Sequence, residues 1–209
     1  MKVAAIIPAY NEERTIGQVV STLMHHPGVS SVIVVDDGSR DATAELARRH
    51  GAEVIRLERN HGKGGAMKAG LKCTDADVVL FVDADLVGFR RSHVEELLRP
   101  VLNGEAKMTV GRFAGGRPAT DLAQTVMPFL SGQRAVCREV LLSIPDMEIS
   151  RFGVELALTK HVKKNCVSHK EVILKELSHL TKEEKMGLWK GIAARARMYS
   201  EIVASVFRP

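Results

Sequence analysis

The chain has 209 residues, with 30 Lys+Arg against 25 Asp+Glu, a formal net charge of +5 and a pI near 9.2. Hydrophobic residues at 45% and charged residues at 26% are globular values, which excludes a disordered chain. No apolar run approaches the ~18 residues of a membrane-spanning helix, and the excess of basic residues is spread along the chain, so it permits an anionic ligand without arguing for nucleic acid.

Met1-Lys2-Val3 enters a strand directly, so no signal peptide is expected, and Cys73, Cys137 and Cys166 form no CxxC pair, which fits a reducing, cytoplasmic setting. Val3-Ala4-Ala5-Ile6-Ile7 is a continuous apolar run of the kind buried on both faces of a parallel sheet. It stops at Pro8, which cannot donate to a ladder. Ile16, Val19, Val20, Leu23 and Met24 then form one helical stripe, ended by Pro27-Gly28. Residues 32–35 read as the second strand. A short helix over 41–50 follows, closed by Gly51, and then a third strand over 54–57. A Gly-rich helix over 63–71 leads to a fourth strand over 78–82. This alternation predicts a parallel sheet covered by helices, with right-handed crossovers.

The second half is less regular. Val94, Leu97, Leu98 and Val101 predict a helix whose end Pro100 obscures. Residues 107–110 read as a strand, and the glycine- and arginine-rich stretch 111–118 as a mobile loop. Residues 154–164 have helical character, and 171–177 alternate like a half-exposed strand. From Met186 to Val206 an apolar stripe keeps helical spacing, with a basic polar face. That face leaves peripheral membrane contact or a homodimer open, although a helix packed on the sheet with solvated charges is the plainer expectation. No linker divides the chain, so one domain over 1–209 is expected.

In an open parallel sheet, ligands bind beyond the carboxyl ends of the strands. The four segments there are Pro8-Ala9-Tyr10-Asn11-Glu12-Glu13, Asp36-Asp37-Gly38-Ser39, Asn60-His61-Gly62-Lys63-Gly64-Gly65-Ala66 and Asp83-Ala84-Asp85. Two residues apart at a strand end, Asp83 and Asp85 would share one side and suit Mg²⁺ or Mn²⁺. Taken alone, such a pair is as readily a helix cap or a solvated turn. The Gly62-Lys63 segment places free N–H groups and a cation where an anion can bind, yet it lacks the spacing of a P-loop. Asp37 could accept from a ribose hydroxyl or a base N–H, or could help cap the next helix. No GxGxxG follows the first strand, which disfavours a dinucleotide enzyme.

The four segments in this order resemble the family 2 glycosyltransferases of GT-A fold, strongly over the first half of the chain and more loosely over the second. The resemblance implies a mainly parallel sheet flanked by helices, with a nucleotide-sugar half over 1–110 and an acceptor half with the C-terminal helix over 111–209. It implies that Pro8, Ala9, Tyr10 and Glu12 surround the nucleoside, that Asp37 binds uracil, and that Gly62 and Lys63 lie beside the nucleotide. Asp83, Ala84 and Asp85 would meet the diphosphate and its metal, with Asp85 also at the catalytic centre.

Phe129-Leu130-Ser131-Gly132-Gln133-Arg134-Ala135 looks like the loop beneath the transferred sugar in the glucosyl-3-phosphoglycerate synthases and the dolichyl- or polyprenyl-phosphate sugar transferases. Ser131, Gly132, Gln133, Arg134 and Arg112 are therefore expected on the acceptor side, where a guanidinium suits phosphate or carboxylate. Glu155, in Phe152-Gly153-Val154-Glu155, matches the acidic residue near the reaction centre, with Asp146 and Glu148 as weaker competitors. The segment from His179 to Gly187 looks like the histidine-containing closing loop of the phosphoglycerate and glycerate enzymes. It would give His179 to the metal and Lys182 and Lys185 to the diphosphate. His25, His26, His50, His61, His93, His161 and His169 show no ligand spacing and read as surface residues.

The expected activity is transfer of a hexose from a UDP-sugar such as UDP-glucose, with Mg²⁺ or Mn²⁺, to a small anionic acceptor such as phosphoglycerate. A polyprenyl phosphate is the alternative acceptor. A nucleotidyltransferase would need a glycine-rich, basic signature where Pro8-Ala9-Tyr10-Asn11-Glu12 stands, and a non-catalytic nucleotide-sugar binder is the alternative from another class.

Overall fold

The computed structural model describes residues 1–114, 131–144 and 153–180, with residues 153–156 described by their backbone alone. The first half follows the predicted alternation: β1 (Val3–Ala9), α1 (Ile16–Met24), β2 (Ser31–Asp36), α2 (Thr43–Arg49), β3 (Glu53–Arg56), α3 (Gly62–Leu71) and β4 (Val78–Phe81). Then come β5 (Leu86–Val87), α4 (Arg91–Leu102), β6 (Met108–Ala114), β7 (Arg134–Cys137), α5 (Arg138–Leu142), α6 (Gly153–Lys164), β8 (His169–Lys175) and β9 (Ser178–His179). Residues Met1–Ser178 pack as one compact unit, and a second begins at His179.

Seven strands form one sheet in the order β3-β2-β1-β4-β7-β6-β8. All pairings are parallel except the two made by β7, which runs antiparallel between β4 and β6. The apolar run of β1 is explained by its central place. Ala5 and Ile7 face a core built with Ile16, Val19, Val20 and Leu23 of α1 and Val94, Leu97 and Leu98 of α4. Ile6 faces the opposite core, with Ile33, Val35, Phe81 and the α3 residues Ala66 and Met67. The glycines of α3 let it lie close to the sheet. A Cβ at Gly70 would stand 2.6 Å from Ile6 Cγ2 and 3.1 Å from Val35 Cγ2.

Three sequence expectations change. The loop expected over 111–118 is strand as far as Ala114, because β6 continues in register with β8, pairing Gly111 with Val172 and Ala114 with Lys175. Gly111 is a packing glycine there, since a Cβ would lie 2.5 Å from Leu174 Cδ1. The short elements β5, β7, α5 and β9 carried no periodic signal and are tertiary products. His93 is not a surface residue but is 3% exposed. No helix among the described residues is long and apolar enough to cross a membrane.

Burial of His93 has a consequence for stability. Its Nδ1 accepts from the Arg90 N–H at 3.2 Å, and its Nε2 bonds the Lys175 carbonyl at 2.9 Å, which requires a neutral ring donating through Nε2. Desolvation pulls its pKa below the usual histidine value. The Lys175 hydrogen bond and the carboxylates of Glu96 and Glu176 oppose that shift, and the Arg90 charge adds to it. Desolvation lowers His26 as well. The unfolded chain therefore binds more protons than the folded one as pH falls below about 6.5, so stability is full above that pH and is lost progressively below it. Thermal midpoints at pH 5.5 and 7.5 should differ less in His93→Gln than in the wild type; an unchanged difference would show that His93 does not contribute.

Candidate active site

Because six of the seven sheet strands are parallel, the segments following β1, β2, β3 and β4 gather at one edge. The first two interlock through side-chain-to-backbone bonds. Asn11, in a left-handed conformation (φ 55°), donates its N–H to Ser39 Oγ at 2.9 Å and accepts the Arg40 N–H at 2.9 Å. The Glu12 N–H reaches Thr43 Oγ1 at 2.7 Å, Glu13 Oε2 accepts the Ala42 N–H at 3.0 Å, and the Ala9 carbonyl accepts the Asp37 N–H at 2.8 Å. Tyr10 alone of Pro8, Ala9 and Tyr10 projects well into solvent, at 42% exposure. Thr43 and Ser39 were not singled out in the sequence; an Asx- or hydroxyl-rich run between a strand and a helix was the available signal.

Asp37, 3% exposed, caps a helix, though not the one that follows it. Its Oδ1 accepts the His61 N–H at 2.7 Å and its Oδ2 the Gly62 N–H at 2.8 Å, so its charge sits on the N-terminus of α3. Gly62 needs to be glycine for the turn, with φ +77°. The next residue, Lys63, is thereby held over the edge of the sheet.

Asp83 and Asp85 lie in the turn between β4 and β5, so their proximity comes from that turn and not from strand alternation. Lys63 Nζ meets Asp83 Oδ1 at 2.6 Å, and Gln133 Nε2 donates to Asp83 Oδ2 at 2.9 Å. Ser131 Oγ in turn donates to Gln133 Oε1 at 3.0 Å. Gly132 lies flat against this pair: a Cβ there would collide with both Asp83 carboxylate oxygens and with Lys63 Nζ. Asp85 stands two residues beyond Asp83 in the same turn, and His179, the last residue of β9, opens the second compact unit. Two carboxylates in one turn are hard oxygen donors of the kind Mn²⁺ or Mg²⁺ takes, with positions left for water and phosphate oxygens.

Arg134 is buried. It is 0% exposed, with Nε on the Ser131 carbonyl at 2.8 Å and Nη1 on Thr159 Oγ1 at 3.0 Å, so it braces the Ser131-Gly132-Gln133 turn. Arg112 pairs with Glu171 at 3.3 Å diagonally across β6 and β8: the register sets Arg112 beside Ile173, and Glu171 lies two residues earlier on the same face of the sheet. Lys182, Lys185, Asp146, Glu148, Phe129 and Leu130, and the stripe from Met186 to Val206, lie outside the described residues. Glu155 falls on α6, where the backbone alone is described.

A parallel-stranded α/β sheet with a carboxylate pair and a lysine beyond the ends of its strands is the framework of a ligand-binding α/β domain. The chain belongs to glycosyl transferase family 2, whose pattern it matches over residues 4–155. Its sequence is 31% identical over 193 residues to glucosyl-3-phosphoglycerate synthase of Mycobacterium tuberculosis, covering 75% of this chain and 59% of that protein. It is 35% identical over 113 residues to an uncharacterised protein of Methanocaldococcus jannaschii, covering 53% of this chain and 46% of that one. The chain thus spans about half to three-fifths of these curated relatives. Its structure resembles the M. tuberculosis synthase crystallised with Mn²⁺, UDP-glucose and phosphoglyceric acid. The TM-score is 0.73 at 30% identity, covering 86% of this chain and 71% of the other. The same enzyme has been crystallised with Mg²⁺ and UDP, again at a TM-score of 0.73 and 30% identity. The architecture is therefore the GT-A type.

Proposed function

We propose that this protein transfers a hexose, glucose in the first instance, from a UDP-sugar to a small anionic acceptor of the phosphoglycerate kind. The observation that carries the reading is the Lys63–Asp83 ion pair at the strand-end edge, with Asp85 two residues further along the same turn. Kinship with the M. tuberculosis synthase supports UDP-glucose and phosphoglycerate as the substrates. In the reaction an acceptor hydroxyl oxygen bonds to the anomeric carbon as the bond to the diphosphate breaks, and the nucleoside diphosphate leaves with the electron pair. A divalent cation, for which Asp83, Asp85 and, as the resemblance implies, His179 are the proposed ligands, would supply Lewis-acid stabilisation of that leaving charge.

Pro8, Ala9, Tyr10 and Glu12 form the nucleoside side of the site, and Lys63 adds positive charge near the phosphates. Asp37, which caps α3, is the group proposed to meet the base. Ala84 lies between the two aspartates, and Ser131, Gly132 and Gln133 form the floor under the sugar. Arg134 holds that floor from behind, and Arg112 serves the acceptor if it exchanges Glu171 for an incoming anion. Glu155 orients the acceptor or takes its proton, with Lys182 and Lys185 on the diphosphate.

The test is a product assay with UDP-glucose, GDP-glucose and GDP-mannose against 3-phosphoglycerate, glycerate and a polyprenyl phosphate, with and without Mn²⁺. Metal-dependent glucose transfer from UDP-glucose to 3-phosphoglycerate is expected. Transfer to the polyprenyl phosphate alone would replace the acceptor. Release of pyrophosphate would replace the reaction class, and nucleotide-sugar binding without turnover of any pair would make the protein a binder.

A further inference from the structure

Lys63 is the cation that the fold itself supplies to the β4–β5 turn. Its ammonium meets Asp83 Oδ1 at 2.6 Å, and the two side chains are only 28% and 14% exposed. An ion pair so far withdrawn from water is screened less than a surface pair, so it weighs in the local charge. Asp83 and Asp85 both bring a carboxylate to this turn, and Lys63 offsets one of them.

The partners of Asp83 are fixed to different degrees. Gln133 is wholly buried; its Nε2 donates to Asp83 Oδ2 at 2.9 Å while its Oε1 accepts from Ser131 Oγ at 3.0 Å, so the amide is oriented from both ends. Arg134 Nε holds the Ser131 carbonyl from behind at 2.8 Å. Gly132 packs so closely on the carboxylate that a methyl group has no room there. Lys63 is held differently. Asp37 fixes the start of α3 through the His61 and Gly62 N–H groups at 2.7 and 2.8 Å, which anchors the backbone at Lys63. The ammonium itself hangs on a long flexible stem, and rotation about that stem swings it between neighbouring acceptors without moving the backbone.

A divalent cation on Asp83 would stand a few ångströms from this ammonium. The carboxylate has lone pairs for both, but like charges that close in a partly buried turn repel strongly. Cation and lysine therefore compete, and of the two present partners of Asp83 it is Lys63 that can leave. A diphosphate beside the start of α3 offers the ammonium other anionic oxygens, with charge-assisted hydrogen bonds in place of the one given up.

We propose that Lys63 exchanges partners, from Asp83 to the diphosphate of a bound nucleotide, so that nucleotide binding opens Asp83 to the divalent cation. The inference rests on the reading of Asp83 and Asp85 as the divalent-cation site, and it adds a device that couples the two ligands. By linkage the coupling is reciprocal, so the cation equally favours the nucleotide.

Two measurements on the whole protein test the exchange. Mn²⁺ affinity without nucleotide is read from the electron paramagnetic resonance signal of free Mn²⁺, and UDP affinity with and without Mn²⁺ from calorimetry. Mn²⁺ bound by UDP in solution is common to all variants and cancels in the comparison. Lys63→Met keeps the stem and removes the charge. It should bind Mn²⁺ alone about tenfold more tightly than the wild type, and the gain in UDP affinity that Mn²⁺ confers should fall by about tenfold. Lys63→Ala should agree, and serves if Lys63→Met does not fold. A positive charge that merely sits nearby would shift each ligand's affinity but leave that gain as it is in the wild type. An unchanged gain in the neutral variants, or unchanged Mn²⁺ affinity, would thus overturn the proposal. Wild-type Mn²⁺ affinity in Asp85→Ala would instead remove the cation site itself, and the exchange with it.

Discussion

Asp85→Ala should lower sugar transfer by about a thousandfold and abolish the dependence of nucleotide affinity on Mn²⁺, while leaving the thermal midpoint within a few degrees of the wild type. Lewis-acid stabilisation of a departing diphosphate amounts to several kcal/mol, and about 4 kcal/mol corresponds to that factor in rate. Asp83 cannot make good the loss, because in this reading it is already a ligand itself and is also held by Lys63 and Gln133. Calorimetry of UDP with and without Mn²⁺, together with rates for the variant and for the wild type treated with a chelator, measures both effects. Metal-dependent UDP binding that survives in Asp85→Ala would remove this residue from the cation site. A fall in stability as large as the fall in rate would make Asp85 a structural residue of the β4–β5 turn.

Gly132→Ala should weaken UDP-sugar binding and transfer together, by about a hundredfold, without unfolding the protein. The added methyl would occupy the space now filled by the Asp83 carboxylate and Lys63 Nζ. Both obstacles are side-chain ends, so they give way and the sheet keeps its register. What moves is the charged pair at the donor site, and a displacement of about 1 Å there is enough for a loss of that size. Lys63→Ala distinguishes the cause. If Gly132→Ala acts by pushing the pair apart, the double variant should lose much less than the two single losses combined. Independent, additive losses would mean that Gly132 is required for its own backbone geometry. Thermal midpoints check that the fold survives in each.

The first half of the fold was legible because each element there is set by local rules. β1 is buried on both faces and reads as an unbroken apolar run, and α1 is buried on one side and reads as a stripe. The four strand-end segments were legible for the same reason, since sheet topology places whatever follows a parallel strand at one edge. The residues of the second half obey longer-range rules. Gly111 looked like loop material and is strand, because the glycine makes room for Leu174 from β8. Arg134 was expected on the acceptor side, and only the fold shows it enclosed, with the carbonyl of Ser131 and the hydroxyl of Thr159 meeting its guanidinium inside the protein. His93 looked like a surface histidine because its partner lies 82 residues away.

By itself the sequence determined which chemical groups stand at the ends of the strands, and so the family. Those properties follow from hydrophobic period and residue type over short stretches, which need no knowledge of distant partners. Tertiary structure alone decided how the groups are used. Asp37 caps α3, and Lys63 is paired with Asp83 through a turn that admits no side chain at Gly132. Each of these joins segments that are remote along the chain. Burial, steric room and hydrogen-bond pairing select among the roles a residue type permits, and those arise only when the sheet has brought the segments together.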